Sequence, residues 1–166
     1  KKRVKNCFEA GALASGCEVE IQWALGDYLE IKDCWPIAER YKTNAESLGR
    51  SFFPLEKIPT TGAGSTDMGN VSHRVPSIHP MISCAPPHVV IHNPEFAKYA
   101  GSETGDAAVL DGAKALAMTA IDVMTDDQLM SDARDQFAET ADLSAKAVAQ
   151  AWHGDGDVSL GGCGCC

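Results

Sequence analysis

At 166 residues and 45% hydrophobic content, the chain can bury a core of ordinary size, and its length alone suits one domain. A formal charge of -9 and a pI near 4.9 exclude a phosphate-tracking surface, because nucleic-acid binding rests on Lys and Arg neutralising backbone phosphates. No apolar run approaches the roughly 20 residues that span a bilayer, so neither a nucleic-acid nor a membrane partner is expected.

The opening KKRVKNCFEAG is basic but lacks the apolar core of a secretory signal, and it reads as the middle of an amphipathic helix. The chain is therefore expected to begin inside an element. Val4, Cys7, Phe8 and Ala12 recur at helical spacing, and Gly16 is a natural stop. Residues 17–23 then alternate strictly, with Val19, Ile21 and Trp23 on one face and Glu18, Glu20 and Gln22 on the other. That is the pattern of a strand in a sheet with one wet side. Gly26 and Asp27 mark a bend, followed by a short extended link over residues 28–31. A second helix is predicted to start near residues 33–36, where Pro36 suits the first turn, and to carry Ile37, Tyr41, Ala45 and Leu48 on one face until Gly49 ends it. Residues 50–61 read as a connecting loop.

Residues 62–96, GAGSTDMGNVSHRVPSIHPMISCAPPHVVIHNPEF, gather Asp67, Glu95 and four of the five histidines. Glycines and small hydroxyl residues in Gly64-Ser65-Thr66-Asp67 let backbone N–H groups and hydroxyls approach a carboxylate or developing oxyanion, although a plain flexible turn explains the same residues. The loop matches no nucleotide-binding motif. Residues 71–76 and 77–83 are predicted as short strands or extended arms broken by Pro76 and Pro80, with His79 off the core-facing side. Pro86-Pro87 makes a stiff turn, and an extended run resumes over residues 88–92, which puts His88 and His92 on the same face. Neutral imidazole is the commonest side-chain ligand for zinc-like metals, and His92 sits where a strand breaks at Asn93-Pro94. For His73 and His88 a solvent-facing or hydrogen-bonded structural role is favoured.

Residues 104–124 give the clearest helix, whose stripe of Val109, Leu110, Ala113, Leu116, Ala117, Ala120, Ile121 and Met124 is of the kind that covers a sheet. Thr125 and Gln128 are predicted to form a capping box for a further helix bearing Leu129, Met130, Ala133 and Phe137, and residues 141–152 extend the helical pattern. Of the seven cysteines, Cys7, Cys17, Cys34 and Cys84 are scattered singly and read as free thiols of a reducing compartment, hence a cytoplasmic setting. The tail over residues 153–166 reads as a disordered or artificial end, since Cys163, Cys165 and Cys166 lack a second pair at zinc-site spacing.

The segments CFEAGALASGCEVEI, STDMGNVSH, SIHPMI, IHNPEF and DGAKALAMTAIDV, spread in one order over residues 3–138, resemble the carboxy-terminal part of M20-family metallohydrolases. The nearest branch by resemblance is that of peptidase M20 domain-containing protein 2 and aminobenzoyl-glutamate hydrolase, amidohydrolases and dipeptidases. The resemblance implies an α/β fold: the carboxy-terminal half of a zinc-peptidase-like three-layer α/β/α catalytic domain, preceded by the last helix and strand of an α+β lid. Residues 1–24 would then end the lid and dimerisation domain, residues 25–152 would belong to the catalytic domain, and residues 153–166 would form the tail.

It further implies two divalent metal ions, zinc or manganese or cobalt, a small peptide or N-acyl amino acid substrate, and a homodimer formed through the lid. The family's last metal ligand corresponds to His92. Its substrate loop corresponds to Gly64, Ser65, Thr66 and Asp67, with His79 bordering the same cleft as a substrate contact, an outer neighbour of the metals, or a purely structural residue. The family's other ligands and its general-base glutamate precede the lid, so none is expected in this chain. His153-Gly-Asp155 reads as a coincidental His-x-Asp, and Glu95 as a surface or turn residue.

Overall fold

A computed structural model describes residues 1–23, 26–54 and 66–151. Chain order gives α1 (Lys2–Ser15), α2 (Trp35–Ser47), α3 (Met68–Ser72), α4 (Pro94–Ala100), α5 (Glu103–Thr125), α6 (Asp127–Ala138) and α7 (Ala141–Ala151). The described residues form two compact units: those up to Asp27 together with Ala151, and those within Tyr28–Gln150. The predicted boundary at residues 24 and 25 and the predicted tail at 153–166 lie outside the described residues.

In the first unit, α1 ends at Gly16, whose φ of 69° is the left-handed conformation that glycine adopts without steric cost. Lys1 reaches Asp27 at 3.2 Å and lies 4.9 Å from the centre of the Trp23 ring. Residues 17–23, predicted as a strand, form no strand. Their alternating pattern is real, but a β-strand exists only through ladder hydrogen bonds to a neighbour, and no partner strand lies among the described residues.

The second unit is built on α2, α5 and α6. Proline in its first turn starts α2, and Ile37, Tyr41 and Ala45 are buried as the periodicity predicts. Ile37 packs with Cys34 and Ala133, Tyr41 with Ala45 and Ala115, and Ile78 touches both groups. Asn44 adds a polar link: its amide donates to Thr119 at 3.1 Å and Asp122 at 2.9 Å on α5. Such a buried amide is tolerated because its donors are satisfied.

The predicted α/β class is corrected here. Among the described residues there is no sheet, only an isolated parallel bridge between Asp33 and Ser77, reinforced by Cys34 N–H donating to the Ser77 carbonyl at 3.0 Å. Two physical causes act against the expected strands. Pro76, Pro80, Pro86 and Pro87 bring no N–H to a ladder. In addition, the first predicted arm coils: Val71 and Ser72 belong to α3, whose side chains take the backbone groups of residues 29–32. Leu29 N–H donates to Asn70 at 2.8 Å, Lys32 N–H to Ser72 at 2.9 Å, and the His73 ring to the Glu30 carbonyl at 3.2 Å.

Helix α5 is also reversed relative to expectation. Its buried residues are Gly105, Ala108, Ala115 and Thr119, the small face, while Val109, Leu110, Leu116, Ile121 and Met124 are exposed. Small side chains let helices approach closely, and a Cβ at Gly105 would come within 2.7 Å of the Tyr99 carbonyl oxygen. The predicted Thr125–Gln128 capping box is replaced by Asp126, whose carboxylate accepts from the N–H groups of Gln128 and Leu129 at 3.1 Å each. Thr125 is the last residue of α5 and donates its hydroxyl back to Ile121. Trp152, predicted to end the last helix, lies outside the described residues.

Candidate functional site

The segment that carries the candidate residues begins at the entry to α3. Gly64 and Ser65 lie outside the described residues. Thr66 and Asp67 are adjacent and linked: the Thr66 hydroxyl donates to the Asp67 carboxylate at 3.2 Å and accepts from Met68 N–H at 3.3 Å. Hydroxyl and carboxylate side chains that bond their own turn in this way fix its direction. Asp67 is exposed, and its side chain does not cap α3. Gly69 permits the close approach that follows, because a Cβ there would collide with the Leu29 carbonyl.

His73 closes α3 with a ring that is only 7% exposed. Its Nε2–H is used by Glu30, whereas Nδ1 has no partner among the described residues. This is the hydrogen-bonded structural histidine that the sequence favoured. His79 and His88 are exposed, in stretches without helix or strand.

His92 occupies a distinct backbone state. Its φ of 64° makes it the one non-glycine residue with positive φ among those described. Left-handed backbone is sparsely populated by residues with a Cβ and persists only where neighbours impose it. Here the neighbours are visible. Val89, buried, donates its N–H to the Pro86 carbonyl at 2.9 Å, which anchors the incoming chain. Beyond His92, Asn93 is the cap of α4: its side-chain oxygen accepts from Glu95 N–H at 2.8 Å and Phe96 N–H at 3.1 Å. The same amide donates from Nδ2 to the Val90 carbonyl at 2.6 Å. The exposed imidazole of His92 therefore stands at a sharp corner fixed on both sides. Asn93 itself was readable only as part of a chain break; the signal available was Asn before Pro, the pair that opens a helix.

These residues are not gathered into a metal cluster. Among the described residues, no group of three or more His, Cys, Asp or Glu is placed to hold an ion. The donor chemistry at His92 fits a single imidazole ligand on a fixed corner and supplies no more than that. No helix among the described residues is long and apolar enough to cross a membrane.

A separate opening lies among the helices. A cleft of about 540 Å³ between α2 and α6 is lined by Trp35, Glu39, Arg40, Asp126 and Asp132 among others. Of the described candidate site residues, Thr66, Asp67, His79 and His92, none lines it. Its central charges are already committed to each other: Arg40 pairs with Asp126 at 2.7 Å and Asp122 at 3.5 Å. The Asp126 hydrogen bond is the main reason the guanidinium holds its proton even more firmly than usual. The cleft is thus a seam between helices held by an ion pair.

Over 136 residues, 82% of its length, the chain is 38% identical to the Xaa-Arg dipeptidase of Homo sapiens. It is 36% identical over the same share to the Xaa-Arg dipeptidase of Mus musculus. The chain spans 31% of the length of each of these curated relatives. No model of a known protein family matches it. The likeness to two dipeptidases supports a resemblance to M20 peptidases and does not single out a branch.

Proposed function

We propose that this chain is part of a metal-dependent amide hydrolase acting on a dipeptide or an N-acyl amino acid. The observation that carries this reading is the 38% identity to a dipeptidase across most of the chain. Since the relatives are named for cleaving before arginine, dipeptides ending in arginine are the first substrates to test.

In this reading His92 donates one imidazole to a centre of two divalent ions, whose remaining ligands and general base lie outside the chain. When bound, such ions supply a water acidic enough to attack at neutral pH and polarise the scissile carbonyl. The chain's own residues present and orient. His92 offers its ring from a rigid corner, Ser65 and Thr66 bind the substrate, the Thr66 hydroxyl turning from Asp67 to a substrate carboxylate when one is present, Asp67 orients the loop, and His79 borders the same cleft. A homodimer of the longer polypeptide through its lid, and a cytoplasmic setting, belong to the same proposal.

The 166-residue chain by itself is proposed to be inactive, a reading that follows from its spanning 31% of the length of its dipeptidase relatives. Metal analysis of the purified chain, together with an assay on Xaa-Arg dipeptides, tests it. Substoichiometric zinc or manganese and no hydrolysis are expected. Two tightly held ions per chain, or turnover, would overturn it. In the longer polypeptide, His92→Ala is expected to abolish metal-dependent hydrolysis while leaving the fold intact. Normal activity in that variant would remove His92 from the ligand set.

A further inference from the structure

We infer that Asn93 is a positioning residue for His92, and that its amide, rather than any helix-capping side chain, is what this corner requires. The inference rests on the proposed role of His92. It goes beyond that role by naming the group that sets the direction of the ring.

The argument comes from how three hydrogen bonds of one side chain are distributed. Two are ordinary capping bonds, accepted by Oδ1 from Glu95 and Phe96 N–H at the start of α4. Asp, Ser and Thr could accept these as well. The third runs the other way: Nδ2 donates to the Val90 carbonyl at 2.6 Å. Together they tie a residue before His92 to residues after it, closing a small ring of chain with His92 at its apex. The left-handed backbone at His92, φ 64°, is the conformation that this ring imposes. Among the side chains that cap helices, only Asn carries its acceptor and its donor on two separate atoms, so that one can hold the cap while the other reaches Val90. Asp would retain the cap and set a carboxylate against the Val90 carbonyl; Ser would retain the cap and give up the paired donor.

The Cβ–Cγ direction of a residue follows its backbone, so releasing His92 to ordinary negative φ swings the imidazole away from the corner. An outer partner that orients a ligating histidine typically changes metal affinity or activity by about 10- to 100-fold when removed.

The test uses Asn93→Asp and Asn93→Ser, each read in two ways. In the 166-residue chain, nuclear magnetic resonance reports the backbone state of residue 92 through its carbon shifts and the intraresidue HN–Hα contact, while the α4 shifts report the cap. The expected result is that α4 survives in both variants and residue 92 leaves the left-handed state. In the longer polypeptide carrying this segment, the expected result is a 10- to 100-fold loss of affinity for the ion that His92→Ala also loosens, with KM for the dipeptide little changed. A left-handed residue 92 in both variants, or unchanged metal affinity in both, overturns the inference. His92→Ala separates the two levels: normal metal content there sinks the ligand role itself, whereas metal loss there with full retention in both Asn93 variants sinks only the positioning role.

Discussion

Arg40, on α2, donates to the carboxylate of Asp126, the residue that caps α6, at 2.7 Å. One carboxylate thus both starts a helix and ties it to its neighbour. The Arg40 hydrogen bond, followed by the N–H of Leu129, holds the Asp126 carboxyl below the usual aspartate range. Because the folded chain binds this proton more weakly than the unfolded chain, the contribution is complete above the ordinary aspartate pKa of about 3.9 and is lost as pH falls through the lowered value. Asp126→Asn keeps the cap and removes the charge. The gap in urea midpoint between the parent and this variant is expected to be clear near neutrality and smaller at a pH below the ordinary aspartate value. A gap of equal size at both pH values contradicts the assignment.

At Gly69, backbone meets backbone, since a Cβ would strike the Leu29 carbonyl and lie 2.7 Å from its carbon. Gly69→Ala is expected to destabilise by about 1–3 kcal/mol, because neither main chain can move without breaking the bonds between α3 and residues 29–32. Gly112 in α5 is the control. Its Cβ would sit 3.5 Å from Ile82, an ordinary contact, so Gly112→Ala should stabilise by about 0.5–1 kcal/mol through the lower entropy of the unfolded helix. Urea titration of both variants checks the pair.

The positive φ at His92 has a thermodynamic signature separate from any ligand role. An L-residue in this state carries about 1–2 kcal/mol of strain that glycine avoids. His92→Gly should therefore be more stable than His92→Ala by about 1 kcal/mol, measured by thermal or urea unfolding. Equal stabilities would mean that the corner relaxes once the ring is gone.

The uncovered stripe of α5 includes Leu116 at 50%, Ile121 at 56% and Met124 at 74% exposure. Large apolar side chains exposed together on one helix tend to bind partners or self-associate. The isolated chain is expected to bind hydrophobic dyes and to sediment as a concentration-dependent mixture. Leu116→Glu combined with Ile121→Lys should shift it towards monomer. Unchanged association in the double variant would exclude this face.

The helices were legible because their signals are local: Gly16 after a periodic run, Pro36 in a first turn, and Ile37, Tyr41 and Ala45 at one spacing. The strands were misread because alternation over residues 17–23 specifies a face but not a partner. Residues 71–72 were misread because Asn70, Ser72 and His73 satisfy distant backbone groups, which no window along the chain reveals. On α5 the periodicity found the apolar face correctly, yet the small face won the packing, since close approach to α2 depends on side-chain volume rather than hydropathy. Of the candidate site, the corner at Asn93-Pro94 was visible as a break. The two-way use of the Asn93 amide, and the left-handed His92 beside it, were not, because both follow from backbone geometry.

The clasp of α3 on residues 29–32 also bears on how this chain can aggregate. Exposed strand edges recruit further chains through open N–H and carbonyl groups. Here Leu29 N–H, Glu30 carbonyl and Lys32 N–H are occupied by side chains of the same molecule, and an approaching strand would have to displace them. Growth of a sheet from residues 29–32 is consequently disfavoured as long as α3 stays folded on them.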